Sequence, residues 1–565
     1  MQPVTRQEGL RLDASHRTVV LLLIIIPTVL LVLGIYHGLL QVLYRAGIVR
    51  SNAFLGLEYY QGLTLHGVIN ALVFTTFFEV AFGYAVVAYY LQCSFDARVT
   101  WLAFGLMLGG TLMAAWAMLS GSASVLYTFY PPLRANPLFY IGAALLVVGS
   151  WVPFFQWIPP YIRWRREHPG QKTPIGVVGM LATFTVWLMA TLPLAYEVLV
   201  LLIPWSLGLT ATVDVVLART LFWFFGHPLV YFWLMPAYVM FYVMLPKLAG
   251  GKLYSDDAGR WVFMLFIVLS CPVGLHHQFA DPGISSSYKW LHAALTFLVA
   301  LPSFTTAFTL AASLEYAARE RGGRGLFSWW GRLPYCDRDR YLFAYFFAGL
   351  VLFVFGGVTG IINASATMNN VVHNTAWIPG HFHTTIGGPV FLSFLGMSLF
   401  LTAQLTGKRV RMPTLNLWVP YLWTAGIFVF SIGLSVAGLL GEPRRSNLGT
   451  TYANPASPLY HPEWQLWSHI GALGGIIMTV AMLFFFIVFF ATLLGSKQQE
   501  PALELPTAEA YHDGNGRLVS NFRPWVMAAI VLLAIAYIPP LYEIITGPTQ
   551  RVPAYEPSSP VATQR

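Results

Sequence analysis

Residues 216–246 read VLARTLFWFFGHPLVYFWLMPAYVMFYVMLP. Arg219 is the only residue of the Asp, Glu, Lys and Arg set in that stretch. An apolar run of this length exceeds the ~20 residues a helix needs to cross a bilayer. His227 lies about a third of the way along it. An ionisable side chain at membrane depth is costly and by default points to function.

The same texture extends in both directions. About thirteen spans of this class are predicted, with approximate limits 18–43, 63–92, 100–120, 138–160, 174–203, 216–246, 260–280, 289–313, 342–363, 378–405, 418–440, 466–495 and 525–547. The 565 residues are 57% hydrophobic and 10% charged, with mean hydropathy +0.63, whereas soluble domains carry roughly 25% charged residues. Unpaired backbone is not tolerated in lipid, so the expected fold is an all-α polytopic membrane bundle. Its organisation is a cytoplasmic segment 1–17, one transmembrane domain 18–547 and an extracytoplasmic tail 548–565. The first span is too long for a cleaved signal peptide.

The net charge of +9 does not point to nucleic acid, because the cations sit in short loops. Alternate loops carry Arg163, Arg165, Arg166 and Lys172, then Lys247, Lys252 and Arg260, then six arginines in 319–340, then Lys408, Arg409 and Arg411. Residues 204–216 and 364–377 have no Lys or Arg. The positive-inside rule puts the N-terminus inside and, with an odd span count, the C-terminus outside. Cys93, Cys271 and Cys336 are too scattered for a disulfide framework, and there is no Cys-x-x-Cys-His motif.

In this orientation His66, His227, His276, His277, His381 and His383 all fall in the outer part of the bilayer. Neutral imidazole is the commonest metal ligand. On a helix, His381 and His383 point to nearly opposite faces, at about 100° per residue, so one helix can serve a centre on each side. Axial histidine on haem iron fits that pattern, and His66 can complete a bis-histidine pair. For His-x-His alone, two structural histidines bonded to carbonyls explain it equally well. His276 and His277 reach one metal only if the backbone is irregular or the metal sits between their directions, with Asp281-Pro282-Gly283 expected to end the helix. His227 can supply a third imidazole, a set that suits copper, zinc or iron.

Tyr231 lies one turn beyond His227. Tyr238 and Tyr242 return to within about 20° of the same face. Ser303, Thr306, Thr309 and Ser313 form a second hydroxyl stripe. Either stripe alone reads as packing; their shared direction, from the cytoplasm toward the metal, reads as a proton path. Arg444 and Arg445 offer fork-shaped donors to carboxylates, with His373 close by. His37, His292 and His469 have no evident partner.

With Gly226-His-Pro-Leu-Val-Tyr231, His276-His277 and His381-Phe-His383 beside His66, the chain resembles the catalytic subunit of the haem-copper oxygen reductases, over roughly spans one to twelve. The resemblance implies His381 on a high-spin haem, His66 and His383 on a low-spin haem, and His227, His276 and His277 on one copper. It also implies a covalent link between Tyr231 and His227. Leu229 stands where the most familiar branch has glutamate, so the likeness is to the B-type branch with a single uptake path. Asn369 stands where relatives of that branch tend to have an acid, which leaves His373 as a candidate for the pumped proton.

The implied activity is reduction of O2 to water in a prokaryotic cytoplasmic membrane, with proton uptake from inside and proton pumping. Implied cofactors are two haems, b with a or b type, and one copper. The expected electron route is cytochrome c through a second subunit with a dicopper centre, in a lipid-embedded complex that admits further small membrane subunits. The rivals are a nitric oxide reductase, which needs iron at the third site and nearby glutamates, and a haem-bearing electron-transfer subunit, which gives His276-His277 no role.

Overall fold

The computed structural model describes residues 9–49, 57–447, 449–514, 516 and 518–554. The outer parts of the expected terminal segments, 1–8 and 555–565, lie outside the described residues. Thirteen helices follow the predicted spans. They are α1 (Ala14–Arg45), α2 (Tyr59–Leu91), α3 (Ala97–Leu119), α4 (Pro137–Glu167), α5 (Ile175–Ser206), α6 (Val215–Leu248), α7 (Asp256–Leu269), α8 (Ser286–Glu320), α9 (Tyr341–Ala364), α10 (Trp377–Thr406), α11 (Pro413–Leu439), α12 (Pro462–Leu493) and α13 (Phe522–Thr546). All but α7 are long and apolar enough to cross a bilayer.

The seventh element departs from the expected limits 260–280. Ser255 caps its start by accepting from the Ala258 N–H. It is only 14 residues long and ends at Leu269. Pro272 forbids the helix from continuing, having no N–H and clashing with the preceding turn. The break therefore comes well before Asp281-Pro282-Gly283, and His276-His277 sit in a separate 3-10 turn, Gly274–Gln278.

Helices α2, α6 and α10 form the centre. Their apolar windows are 89% buried, against at most 50% in the other spans. These three carry His66, His227, His381 and His383. Two of them widen into π-turns just past their histidines, at Val68–Val73 and Ile386–Val390, a local irregularity often found at functional sites. Around them α1 packs on α2 and α12, α11 on α10 and α12, and α7 on α5, α8 and α13.

Two short strand pairs close the ends. β1 (Thr212–Asp214) pairs antiparallel with β4 (Arg551–Pro553), and β2 (Leu253–Ser255) pairs parallel with β3 (Ala510–His512). At the end of the bundle opposite the histidines, Lys172 meets Asp256, Asp257 and Asp513, and Lys247 and Lys252 meet Glu509.

Candidate functional site

Two groups of imidazoles stand on either side of α10. On one side the rings of His66 and His383 are nearly parallel, tilted by 10°, with centres 6.0 Å apart. His66 Nδ1 donates to the Gly34 carbonyl at 2.8 Å and His383 Nδ1 to the Pro379 carbonyl at 2.7 Å. A ligand histidine usually has its other nitrogen tied in this way, and here Nε2 is left free on both rings. Both line an apolar cavity of about 270 Å³ that also takes in Gly38, Phe430, Met478 and the Arg444-Arg445 pair. A Cβ on Gly38 would lie 2.6 Å from His66 Cε1, so glycine is what lets the ring lie against α1.

On the other side, one nitrogen from each of His227, His276 and His277 lies within 4.8 Å of the others. His227 Nδ1 faces His277 Nε2 at 2.9 Å, and His227 Nε2 faces the Tyr231 hydroxyl at 3.0 Å. Thr296 spends its own proton on the His292 carbonyl, so His276 Nδ1 donates to Thr296 Oγ1 at 2.9 Å and its Nε2 is free. His277 stacks on Trp223, centres 3.8 Å apart and 5° from parallel. Of the two arrangements that let adjacent histidines converge, the structure has the irregular backbone, a 3-10 turn.

His381 is fixed by the same logic. Thr359 donates to the Gly356 carbonyl, and His381 Nδ1 donates to Thr359 Oγ1 at 2.8 Å.

At the rim of the cavity, Arg444 reaches Asn374 Oδ1 at 3.0 Å while its Nε is buried without a partner among the described residues. Burial and the charge of Arg445 push Arg444 down to about 10, which leaves it cationic at neutral pH. Arg445 bonds Thr128 at 3.3 Å and lies over the Tyr127 ring. His373 Nδ1 pairs with Asn369 Oδ1 at 2.9 Å; burial, then Arg444, holds its pKa below the usual imidazole value.

The two hydroxyl stripes meet. Tyr242 lies 2.5 Å from Thr306 Oγ1, and Tyr238 lies 3.5 Å from Ser303 Oγ. Ser313 donates to the Thr309 carbonyl and accepts from the Tyr254 N–H, so Thr309 joins this run through its backbone. Tyr231 and Tyr238 both pack on Phe266, at 5.1 and 5.7 Å.

Sequence reasoning passed over Thr296, Thr359 and Trp223. Thr296 had a readable signal, lying one turn beyond His292 on α8. His292, without a partner on paper, bonds on both nitrogens. Among the described residues, His469 bonds only the Gln465 carbonyl, at 2.6 Å. Glu79 and Glu197 are fully buried with both carboxylate oxygens unpartnered among the same residues.

The donor sets fit the groups expected from the histidine motifs. An imidazole on each side of a metal at about 2 Å needs ring centres about 6 Å apart, which matches the His66–His383 pair. A partnerless guanidinium nitrogen at the cavity rim suits a carboxylate. Three neutral imidazoles with free nitrogens suit copper.

Comparison with known proteins points the same way. Residues 18–477 match the family model for cytochrome c and quinol oxidase polypeptide I. The chain is 42% identical over 507 residues to cytochrome c oxidase subunit 1 of Thermus thermophilus, covering 88% of each chain. It is 26% identical to the heme-copper oxidase subunit I+III of Aeropyrum pernix, over 86% of this chain and 58% of that one. A solved heme-copper terminal oxidase dimer superposes with TM-score 0.95 at 51% identity, covering 98% of this chain and 97% of that chain.

Proposed function

This chain belongs to the cytochrome c and quinol oxidase polypeptide I family, and from that premise we propose which of its residues carry the chemistry. It is a subunit I of the haem-copper oxidases, multi-pass in a membrane, and serves the reduction of O2 to water. His66 and His383 hold a low-spin haem through their Nε2 atoms, with Arg444 and Arg445 toward its propionates and His373 near by. His381 holds a high-spin haem. His227 through Nδ1, His276 through Nε2 and His277 through Nε2 hold one copper. Bound there, the two haems and the copper supply the electrons and the open coordination position that oxygen reduction needs.

The chain's own residues do the rest. Tyr231 keeps a proton on its hydroxyl 3.0 Å from His227 Nε2 and releases it toward the reacting oxygen. Tyr242 with Thr306, Tyr238 with Ser303, and Thr309 carry replacement protons from the cytoplasmic end, with water bridging the apolar step at Phe266. Buried apolar walls strengthen each of these polar contacts. The histidine end faces outward and the lysine- and arginine-rich end inward, in a prokaryotic cytoplasmic membrane, with residues 18–547 as one transmembrane domain. Protons are pumped as well as consumed. Electrons arrive from cytochrome c through a second subunit bearing a dicopper centre, and the haems are b with a or b type.

The observation that carries this reading is the three-imidazole cluster within 4.8 Å on the far side of α10 from the His66–His383 pair. Metal analysis of the purified complex, with reduced-minus-oxidised and carbon-monoxide difference spectra, tests it. Two haems, one further copper and carbon monoxide on one haem only are expected. Iron in place of copper would make it a nitric oxide reductase, and two haems with no third metal would leave an electron-transfer subunit.

A further inference from the structure

The loop that presents His276 and His277 is held from outside the stretch that the family model matches. That match ends at residue 477, and α13 begins at Phe522. The Gly274 N–H donates to the Tyr537 hydroxyl at 3.0 Å. The next N–H, of Leu275, donates to His292 Nδ1 at 3.2 Å, and His292 Nε2 donates to the Ala536 carbonyl at 3.0 Å. Two consecutive peptide groups immediately before His276 are therefore tied to α13, one directly and one through a single imidazole. The chain of contacts continues inward, since Thr296 accepts from His276 and donates to the His292 carbonyl.

The rest of α13 marks this as its point of attachment. Ala536 and Tyr537 are 0% and 2% exposed, whereas Ile535 and Ile538 are 55% and 63% exposed. Tyr537 stacks on Phe224, one turn before His227, with centres 3.7 Å apart and 6° from parallel. A Cβ on Gly274 would lie 2.2 Å from the Trp223 carbonyl oxygen and 2.5 Å from the Tyr537 hydroxyl, so this close seat excludes any larger residue. Beyond α13, β4 pairs with β1 just ahead of α6, and the Val215 N–H donates to the Gln550 carbonyl at 3.1 Å. The C-terminal part of the chain thus grips both elements that deliver imidazoles, α6 and the 3-10 turn.

We propose that α13 is a positioning clamp for the copper ligands: Tyr537 and the Ala536 carbonyl, the latter through His292, hold the peptide groups ahead of His276 so that His276 and His277 face His227. This rests on the reading of those three histidines as the copper site. Tyr537 and His292 are positioning residues and touch neither copper nor oxygen. A segment with this irregular geometry does not hold itself, because a 3-10 turn has poorer hydrogen bonds than an α-helix. With one anchor removed, the turn samples conformations in which its two imidazoles no longer converge, and copper leaves more easily.

The test uses the purified complex with full-length chain. Tyr537→Phe keeps the stack on Phe224 and removes only the hydroxyl. His292→Phe removes both of its bonds. Tyr542→Phe, at a side chain 69% exposed on the same helix, is the control. The copper-to-haem ratio is followed under reducing conditions with the copper(I) chelator bathocuproine disulfonate, alongside the low-spin haem spectrum and the thermal midpoint. Copper should leave Tyr537→Phe and His292→Phe about fivefold or more faster than the unaltered protein, as loss of one buried hydrogen bond implies, with the low-spin spectrum unchanged, the thermal midpoint lowered by no more than a few degrees, and Tyr542→Phe indistinguishable from the unaltered protein. Copper loss at the unaltered rate in both variants overturns the clamp, and so does haem leaving in step with copper, which is general loosening. Copper missing from the unaltered complex brings down the reading of the site itself, and the clamp with it.

Discussion

The rings of His66 and His383 face one another across 6.0 Å, parallel to within 10°, although they come from helices whose sequences lie more than 300 residues apart. Gly38 makes this arrangement possible from a third helix. In an ordinary helix Gly→Ala stabilises by roughly 1 kcal/mol. Here the new methyl would sit 2.6 Å from His66 Cε1 and drive the ring from its place. Gly38→Ala should therefore lose most of the low-spin haem band in the reduced-minus-oxidised spectrum while keeping third-metal content. A normal spectrum would show that α1 yields and the ring does not.

Tyr231→Phe removes one oxygen and leaves the packing on Phe266 in place. The His227 nitrogen proposed to hold the metal is Nδ1, which faces His277, and the tyrosine contact is made by the other nitrogen, Nε2. Copper and haem content should stay at the level of the unaltered enzyme while oxygen uptake falls by about a hundredfold or more, the equivalent of at least ~2.7 kcal/mol on the barrier. Oxygen-electrode rates beside metal analysis on the same preparation check this. Turnover retained in the variant would take the phenol out of the mechanism.

Arg444 is a half-buried cation whose Nε is enclosed with no partner among the described residues. A cation beside haem propionates favours the reduced, less positive iron. Arg444→Gln should lower the midpoint potential of the low-spin haem by about 50 mV, corresponding to ~1 kcal/mol at ~2.3 kcal/mol per 100 mV. Spectroelectrochemical titration reads this directly. An unchanged potential would assign Arg444 to the loop contact with Asn374 alone.

Much of the fold was legible in the sequence because lipid simplifies the code: an all-α bundle and the approximate limits of its spans follow from hydropathy, although α7 is shorter than the span expected there. The failures have local and long-range causes. The break in α7 was misplaced because Asp281-Pro282-Gly283 is the louder signal, yet Pro272 comes first and acts alone. The partner of His381 is Thr359, a residue type common enough in membrane helices to carry no warning, whereas Thr296, the partner of His276, had only its place one turn beyond His292 to mark it. His292 finds its acceptor 244 positions away, at Ala536, and no periodicity reports a contact of that kind.

The proposed proton path rests on side chains that meet only in the fold. Tyr242 and Thr306, 64 residues apart, approach to 2.5 Å, both buried, and Thr306 also donates to the Pro302 carbonyl at 2.9 Å. With that proton committed, the Thr306 oxygen accepts from Tyr242, and this junction is one link of the proposed path. Thr306→Val keeps the volume and the β-branched shape and removes the acceptor, leaving the tyrosine hydroxyl buried without a partner at a cost of about 1–3 kcal/mol. Oxygen reduction at saturating donor should slow about tenfold, since each 1.36 kcal/mol on a barrier is tenfold in rate, with haem spectra unaltered. Thr305→Val, on the neighbouring position where the hydroxyl only returns to the Leu301 carbonyl, should run at the unaltered rate. Equal slowing in both variants would mean that α8 responds to any lost hydroxyl, and the stripe would revert to packing.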